Sequence, residues 1–375
     1  MTRIVLLGAT GYTGRLIAEQ LVGRGLAPLL AGRSASALDA LAATLGGGRV
    51  AGTAVVTLDD PRTIARLLSP GDVLITTVGP FLTLGHAALT AALDAGAHYV
   101  DTTGEAPFVR HVFRAPGAAA AAKGCALLPA FGYDFVPGNL AGALALERAG
   151  EAAERLDVGY FFLGDTQTAL SGGTQASAAG VLTEPGFTFA GGRVVEERCG
   201  ARIRRYDVQG QRRPGLTLGS SEVLTLPARF PHVVDIDVHQ GGLGAVTPLV
   251  AQVGRVAAVP SLARAVRALA GKLVKGSTGG PDAESRSRSA THVVAIASDR
   301  AGRFLEQVVV QGPNVYDATA ATIAWSADRI VAGGLEGVGA LGPVDAFGLR
   351  ELERGCASLG IAEPAAPAAS VQTRA

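Results

Sequence analysis

Seven residues near the start, Gly8-Ala9-Thr10-Gly11-Tyr12-Thr13-Gly14, directly follow the apolar run Ile4-Val5-Leu6-Leu7 and lead into an amphipathic stretch near Arg15–Arg24. A strand that turns on glycine into a helix is the opening unit of a parallel α/β sheet. Gly8 permits the tight turn, Gly11 lets backbone N–H groups approach a diphosphate, and Gly14 allows the helix to pack closely on the strand. Ala9, Thr10, Tyr12 and Thr13 supply the intervening amides. The helix N-terminus behind them favours an anion through its dipole and its unbonded N–H groups. The spacing Gly-x-x-Gly-x-x-Gly is a variant of the usual fingerprint, and its placement after a first strand favours dinucleotide binding over a purely structural turn.

Short apolar runs alternate with helix-like stretches up to residue 137. Strands are predicted at Arg3–Leu7, Pro28–Ala31, Thr53–Leu58, Asp72–Val78, His98–Thr102 and Cys125–Pro129, with helices at Ala35–Leu45, Pro61–Leu68, Gly85–Ala95 and Ala106–Lys123. Six strands suit a doubly wound fold, and a chain of 375 residues suits two domains. After Pro137 the runs lengthen: Leu156–Leu163, Arg193–Tyr206, Val233–Gln240, Thr291–Ser298 and Arg303–Val310 predict a second, mainly antiparallel domain, and Tyr316–Gly333 reads as a helix again. Asp235, Asp237 and His239 alternate with apolar residues and predict a solvated sheet face. Arg255–Lys275 predicts a basic amphipathic helix, either a solvated face or a surface for lipid or an acidic partner, and Gly276–Arg288 predicts a mobile loop.

Charge excludes other classes. With 33 basic against 32 acidic residues there is no broad field to hold nucleic acid. Cys125, Cys199 and Cys356 lie too far apart for a disulfide framework or a metal-binding pair, which points to a reducing, cytoplasmic setting. Met1-Thr2-Arg3 runs straight into a strand, so no signal peptide is expected. The apolar stretch Gly241–Gly254 falls short of the roughly 20 residues a spanning helix needs, so no integral membrane segment is expected.

The end of the second strand selects the cofactor. NAD would call for an acidic residue there; Gly32-Arg33-Ser34 offers a guanidinium and a hydroxyl, which suit the 2′-phosphate of NADP. A Tyr-x-x-x-Lys pair is absent, because the lysines Lys123, Lys272 and Lys275 are preceded four residues earlier by Ala119, Ala268 and Gly271. No zinc-ligand spacing and no Gly-x-Ser-x-Gly elbow occur either, which leaves direct hydride transfer with no catalytic metal. The site should sit in the loops after the parallel strands, among them Thr76–Phe81, Asp101–Glu105 and Phe131–Asn139. Tyr133 is a candidate proton donor and Asp134 its orienting partner or a group for a substrate cation; packing for Tyr133 and a helix cap for Asp134 are the alternatives. Ser171–Ser177 either lines the substrate cleft or caps a helix.

Taken in order, Gly8–Gly14, Leu30-Ala31-Gly32-Arg33, Val78-Gly79-Pro80-Phe81, His98–Glu105, Gly132–Pro137 and Ser171-Gly172-Gly173-Thr174 resemble the saccharopine-dehydrogenase-like oxidoreductases, including trans-acting enoyl reductases. The resemblance implies an α/β architecture in which a Rossmann-type doubly wound parallel sheet, residues 1–137 plus 317–362, is completed by C-terminal helices. An inserted α+β domain, residues 138–316, would form the other cleft wall. Independently of the resemblance, exposed strands in that second domain suggest a homodimer, and the Ala/Pro-rich stretch 363–375 predicts a disordered tail. By position, Gly8, Gly11, Gly14, Arg33, Val78, Gly79 and Pro80 would contact the cofactor; Ser34 joins them on its hydroxyl beside Arg33 alone. Where the family pattern reads Gly-Phe-Asp-Ser-x-Pro-x-Asp, this chain departs at Tyr133, Phe135 and Asn139.

The expectation is an NADPH-dependent reductase of an activated C=C bond in a small secondary-metabolite or lipid intermediate. Imine or saccharopine-type chemistry, with Asp134 or Glu105 holding an amine, and a non-catalytic NADP(H) sensor are the alternatives.

Overall fold

The computed structural model describes residues 2–164, 185–242 and 279–364. The first sheet is built from β1 (Ile4–Leu7), β2 (Leu29–Gly32), β3 (Gly52–Val55), β4 (Val73–Thr76), β5 (His98–Asp101) and β6 (Ala126–Leu128). A seventh strand, β15 (Gly339–Ala340), arrives from the far end of the chain, and the order is β15-β6-β5-β4-β1-β2-β3, parallel throughout. Every residue of β1 and β4 is buried, as central parallel strands covered on both faces must be. The order reverses between β1 and β4, and the crevice that accepts ligands in such sheets opens there.

The covering helices are α1 (Tyr12–Gly23), α2 (Ala35–Thr44), α3 (Arg62–Ala65), α4 (Phe81–Ala95), α5 (Ala106–Val112) and α6 (Ala115–Ala122). Two differ from the sequence expectation. The helix predicted from Gly85 begins at Phe81, because the Glu105 carboxylate accepts the N–H groups of Phe81 and Leu82 at 2.8 and 2.9 Å. The single helix expected over Ala106–Lys123 is split at Arg114, since Pro116 is tolerated only in the first turn of a new helix.

Helix α7 (Val136–Ala149) links the two sheets and is buried on all sides from Val136 to Leu146. It packs against β7 (Arg155–Gly164) of a mixed eight-stranded sheet. That sheet also contains β8 (Pro185–Ala190), β9 (Arg193–Arg198), β10 (Ile203–Val208), β11 (Gln211–Thr217), β12 (Asp235–Gln240), β13 (Ser289–Ser298) and β14 (Phe304–Gly312). Its main path runs β10-β11-β12-β7-β13-β14, and only β12 with β7 is parallel. The stretch Arg193–Tyr206, expected as one strand, is two. Helix α8 (Glu222–Arg229) precedes β12.

Two further expectations are corrected. The part of Gly276–Arg288 that is described is not a loose loop: Asp282 caps the short helix α9 (Ala283–Ser287), and Arg286 is ion-paired to Asp317 at 2.8 Å. The Asp235, Asp237, His239 stripe does share a face, but water covers it only in part: Asp235 and Asp237 are half-buried. His239 is buried against the Tyr206 hydroxyl at 2.8 Å, and Asp237 is held by Arg202 and Thr188. Glu363, the first residue of the expected tail, pairs with Arg148, and residues 365–375 of that tail lie outside the described residues. The predicted basic helix and the Ser171–Ser177 segment lie outside the described residues. Among the described residues no helix is long and apolar enough to cross a membrane.

The chain then returns to the first sheet. Helix α10 (Val315–Val331) packs on α1, β15 pairs with β6, and α11 (Pro343–Phe347) and α12 (Leu349–Ser358) pack against α7. Trp325 of α10 meets Phe347 edge to face at a centroid distance of 4.9 Å. Truncating Trp325 to Ala is expected to cost about 3–5 kcal/mol, read as a lowered urea midpoint with unchanged slope.

Candidate functional site

The glycine turn has no slack. Gly8 adopts φ +83°, a left-handed conformation, and a Cβ there would lie 2.6 Å from the Thr77 hydroxyl. A Cβ on Gly14 would lie 2.2 Å from the Gly8 carbonyl oxygen, so the helix sits directly on the turn. The amides of Gly8 and Ala9 donate to the Ala31 carbonyl, and that of Gly11 donates to Gly8 at 2.9 Å. Gly11 occupies the N-cap of α1, where no side chain accepts from the helix. These residues fit a dinucleotide: the first amides of α1, at Tyr12, Thr13 and Gly14, precede the internal ladder and open on the sheet edge with the dipole behind them. The Thr10 carbonyl accepts from Arg15, and the Tyr12 ring stands edge to face on Tyr316 of α10.

Arg33 and Ser34 lie exposed at the end of β2. Ser34 also caps α2, its hydroxyl accepting from the Ala37 amide and meeting that of Ser36 at 3.2 Å. Next to the glycine turn, Thr77 donates to the Gly8 carbonyl at 3.2 Å, and the Val78 side chain fills the space where a Gly8 Cβ would stand. Gly79 and Pro80, joined by a cis peptide bond, carry the chain from there into α4. Glu105, occupied in capping α4 and buried, is thereby withdrawn from the amine-holding role considered for it.

The loop after β6 completes the edge. Its first residues are fixed by Asp101, whose carboxylate accepts from the Ala130 and Thr103 amides, and by α10, where Thr319 accepts from the Tyr133 amide at 3.0 Å. Tyr133 is buried, and its hydroxyl donates to the Phe161 carbonyl at 3.3 Å. Its ring packs edge to face on Tyr160, and burial raises its pKa well above the ordinary phenol value. Asp134 is only partly buried. Its carboxylate lies against Gly104, desolvation raises it to about 6, and Phe135 rather than Asp134 stands at the N-cap of α7. Gly8, Thr77, Val78, Gly104 and Asp134 thus share one edge of the sheet, each at the carboxyl end of a parallel strand.

Behind this edge lies a polar cluster that the sequence does not announce. Tyr160 of β7 donates to Glu222 of α8 at 2.5 Å, within a completely buried setting. Asn139 bridges the Phe135 carbonyl, the Ser221 hydroxyl and the Thr225 hydroxyl, each at 2.8 Å. Desolvation raises Glu222 to about 7, and repulsion from Asp134 adds to the rise. Glu222 sits between Ser221 and Val223 with nothing in its spacing to mark it; only its partner Tyr160, three-dimensionally adjacent, reveals it. Among the described residues no group of three or more His, Cys, Asp or Glu side chains converges to hold a metal ion.

Residues 4–128 match the family described as the saccharopine dehydrogenase NADP binding domain. A trans-acting enoyl reductase of Mycobacterium tuberculosis (strain ATCC 25618 / H37Rv) is 31% identical over 218 residues, 53% of this chain and 52% of that protein. Another, of Mycobacterium leprae (strain TN), is 36% identical over 140 residues, 36% of this chain and 34% of that protein. The chain therefore spans about half the length, or less, of the curated relatives it matches. Among solved structures, the apo saccharopine dehydrogenase (L-Glu forming) from Saccharomyces cerevisiae shares the fold, with a TM-score of 0.60 at 11% identity over 97% of this chain and 99% of that one.

The buried carboxyl of Glu222 has a stability signature. Because its pKa in the fold lies above its ordinary value of 4.5, the unfolded chain releases this proton first, and stability falls as pH rises from there through about 7. Glu222→Gln keeps an acceptor for Tyr160 and cannot ionise. Its melting temperature is expected to fall less than that of the wild type between about pH 5 and pH 8, in parallel calorimetric scans.

Proposed function

We propose that this chain, whose residues 4–128 match the saccharopine dehydrogenase NADP binding domain family, is an NADPH-dependent reductase acting on an activated C=C bond of a small lipid or secondary-metabolite intermediate. The observation that carries the reading is the close-packed glycine turn opening α1 on the same sheet edge as the half-buried Asp134. Tyr12, Thr13 and Gly14 would meet the diphosphate through their amides, Arg33 and Ser34 the 2′-phosphate, and Val78, Gly79 and Pro80 the nicotinamide half. Bound there, the reduced dinucleotide supplies a hydride to an electrophilic carbon.

The chain itself contributes orientation and a proton. Asp134, raised to about 6, is protonated often enough near neutrality to protonate the carbon next to the one that accepts the hydride. Tyr133, whose hydroxyl is engaged by the Phe161 carbonyl, holds the wall behind it. Similarity to trans-acting enoyl reductases supports C=C reduction. Asp134 also suits a second reading, pairing as a carboxylate with an iminium substrate. The two separate on pH: proton delivery needs the acid form, cation pairing the ionised one.

Arg33→Ala is expected to weaken NADPH about tenfold in a fluorescence titration while leaving NADH within about twofold, the loss of one charge-assisted contact. With an enone panel, turnover is expected to fall as pH rises through about 6; Asp134→Asn abolishes that limb and slows turnover about 100-fold. Tyr133→Phe is expected to keep turnover within a few fold. NADPH binding without consumption across enone and imine panels would leave the sensor reading in its place.

A further inference from the structure

Tyr12, the first residue of α1 and part of the glycine turn, is held from outside the nucleotide lobe. Its hydroxyl donates to the Pro281 carbonyl and accepts from Arg286 Nη1 at 3.0 Å. Arg286 also donates to Pro281, and its Nε donates to Asp317 at 2.8 Å. Asp317 lies in the first turn of α10, the helix that packs on α1. The ring of Tyr12 stands edge to face on Tyr316 at 5.0 Å. On its other side the chain passes so close that a Cβ on Gly280 would lie 2.7 Å from the ring.

We propose that Arg286 is a positioning residue for the phosphate turn: through Tyr12 it fastens residues 280–288 across the nucleotide-binding loop, so nucleotide occupancy and placement of this strap are thermodynamically linked. This rests on the nucleotide reading given above. The linkage follows from the geometry of the turn. Tyr12 is one residue beyond Gly11, and the turn it belongs to is fixed on its inner side by the bonds to Ala31 and Gly8. The bonds that hold the Tyr12 ring therefore also restrain the residue whose amide, with its neighbours, would meet the diphosphate. Conversely, an anion that orders those amides orders the ring and the segment bonded to it, and the coupling is reciprocal. Arg286 is mostly withdrawn from water, 14% exposed in its side chain, so its bonds to Tyr12 and Asp317 are little screened.

Hydrogen exchange over residues 282–288 of the full chain, with and without saturating NADPH, tests the link in wild type, Tyr12→Phe, Arg286→Met and Arg33→Ala. In the wild type, NADPH is expected to slow exchange in this segment. Tyr12→Phe and Arg286→Met are each expected to weaken NADPH about tenfold and to lose most of that slowing even at saturation, the pair together no worse than either alone. Arg33→Ala, equally weakened, keeps the slowing at saturation. Equal slowing in Tyr12→Phe, or unchanged NADPH affinity in both strap variants, overturns the linkage and leaves the nucleotide site standing. A wild-type chain that binds neither NADPH nor NADH overturns both.

Discussion

The distance between α1 and the end of β1 sets what else this protein can be. With only hydrogen at Gly14, the helix comes down onto the Gly8 carbonyl, and its first amides are brought to the edge of the sheet rather than a side chain's length above it. Everything at the crevice is built outwards from that contact. Thr77 bonds to Gly8, Val78 fills the volume beside it, and the strand order reverses at the same place. The proposed anion site and the proposed substrate crevice would therefore be one feature of the packing rather than two.

A second constraint comes from α7, which serves both lobes. One end of it follows Tyr133 and Asp134 directly, and its sides are buried against β7 and the C-terminal helices. A helix so enclosed must place its polar neighbours without water, and it does so through Asn139, Ser221, Thr225, Tyr160 and Glu222. The ionisable members of that set lie close enough to Asp134 to feel its charge. Charge on the crevice carboxyl is thus felt in the buried cluster behind it, where it adds to the desolvation that raises Glu222 and Tyr160.

The first sheet was largely legible in the sequence because its strands are buried on both faces, so each appears as a short apolar run bounded by turns. What escaped is what depends on distant partners. β15 has two residues and forms only because β6 offers an edge. The start of α4 depends on Glu105, and the ordering of 279–288 depends on Arg286 finding Asp317; no local pattern encodes either. For the site the division is similar. Gly8–Gly14 is readable because backbone geometry demands glycine at fixed spacing. Glu222 is not, because its role is defined by Tyr160, 62 residues earlier in the chain. The polar stripe on β12 shows the converse: alternation places side chains on a face but does not say what faces them.

The return of the C-terminal elements also bears on the birth of the protein. α10 and β15 cover α1 and extend β6, yet they leave the ribosome only after the whole second sheet. During vectorial synthesis the nucleotide lobe must wait with one helix face and one strand edge bare, the exposure that draws chaperones to nascent chains. The lobe that emerges first is the last to close.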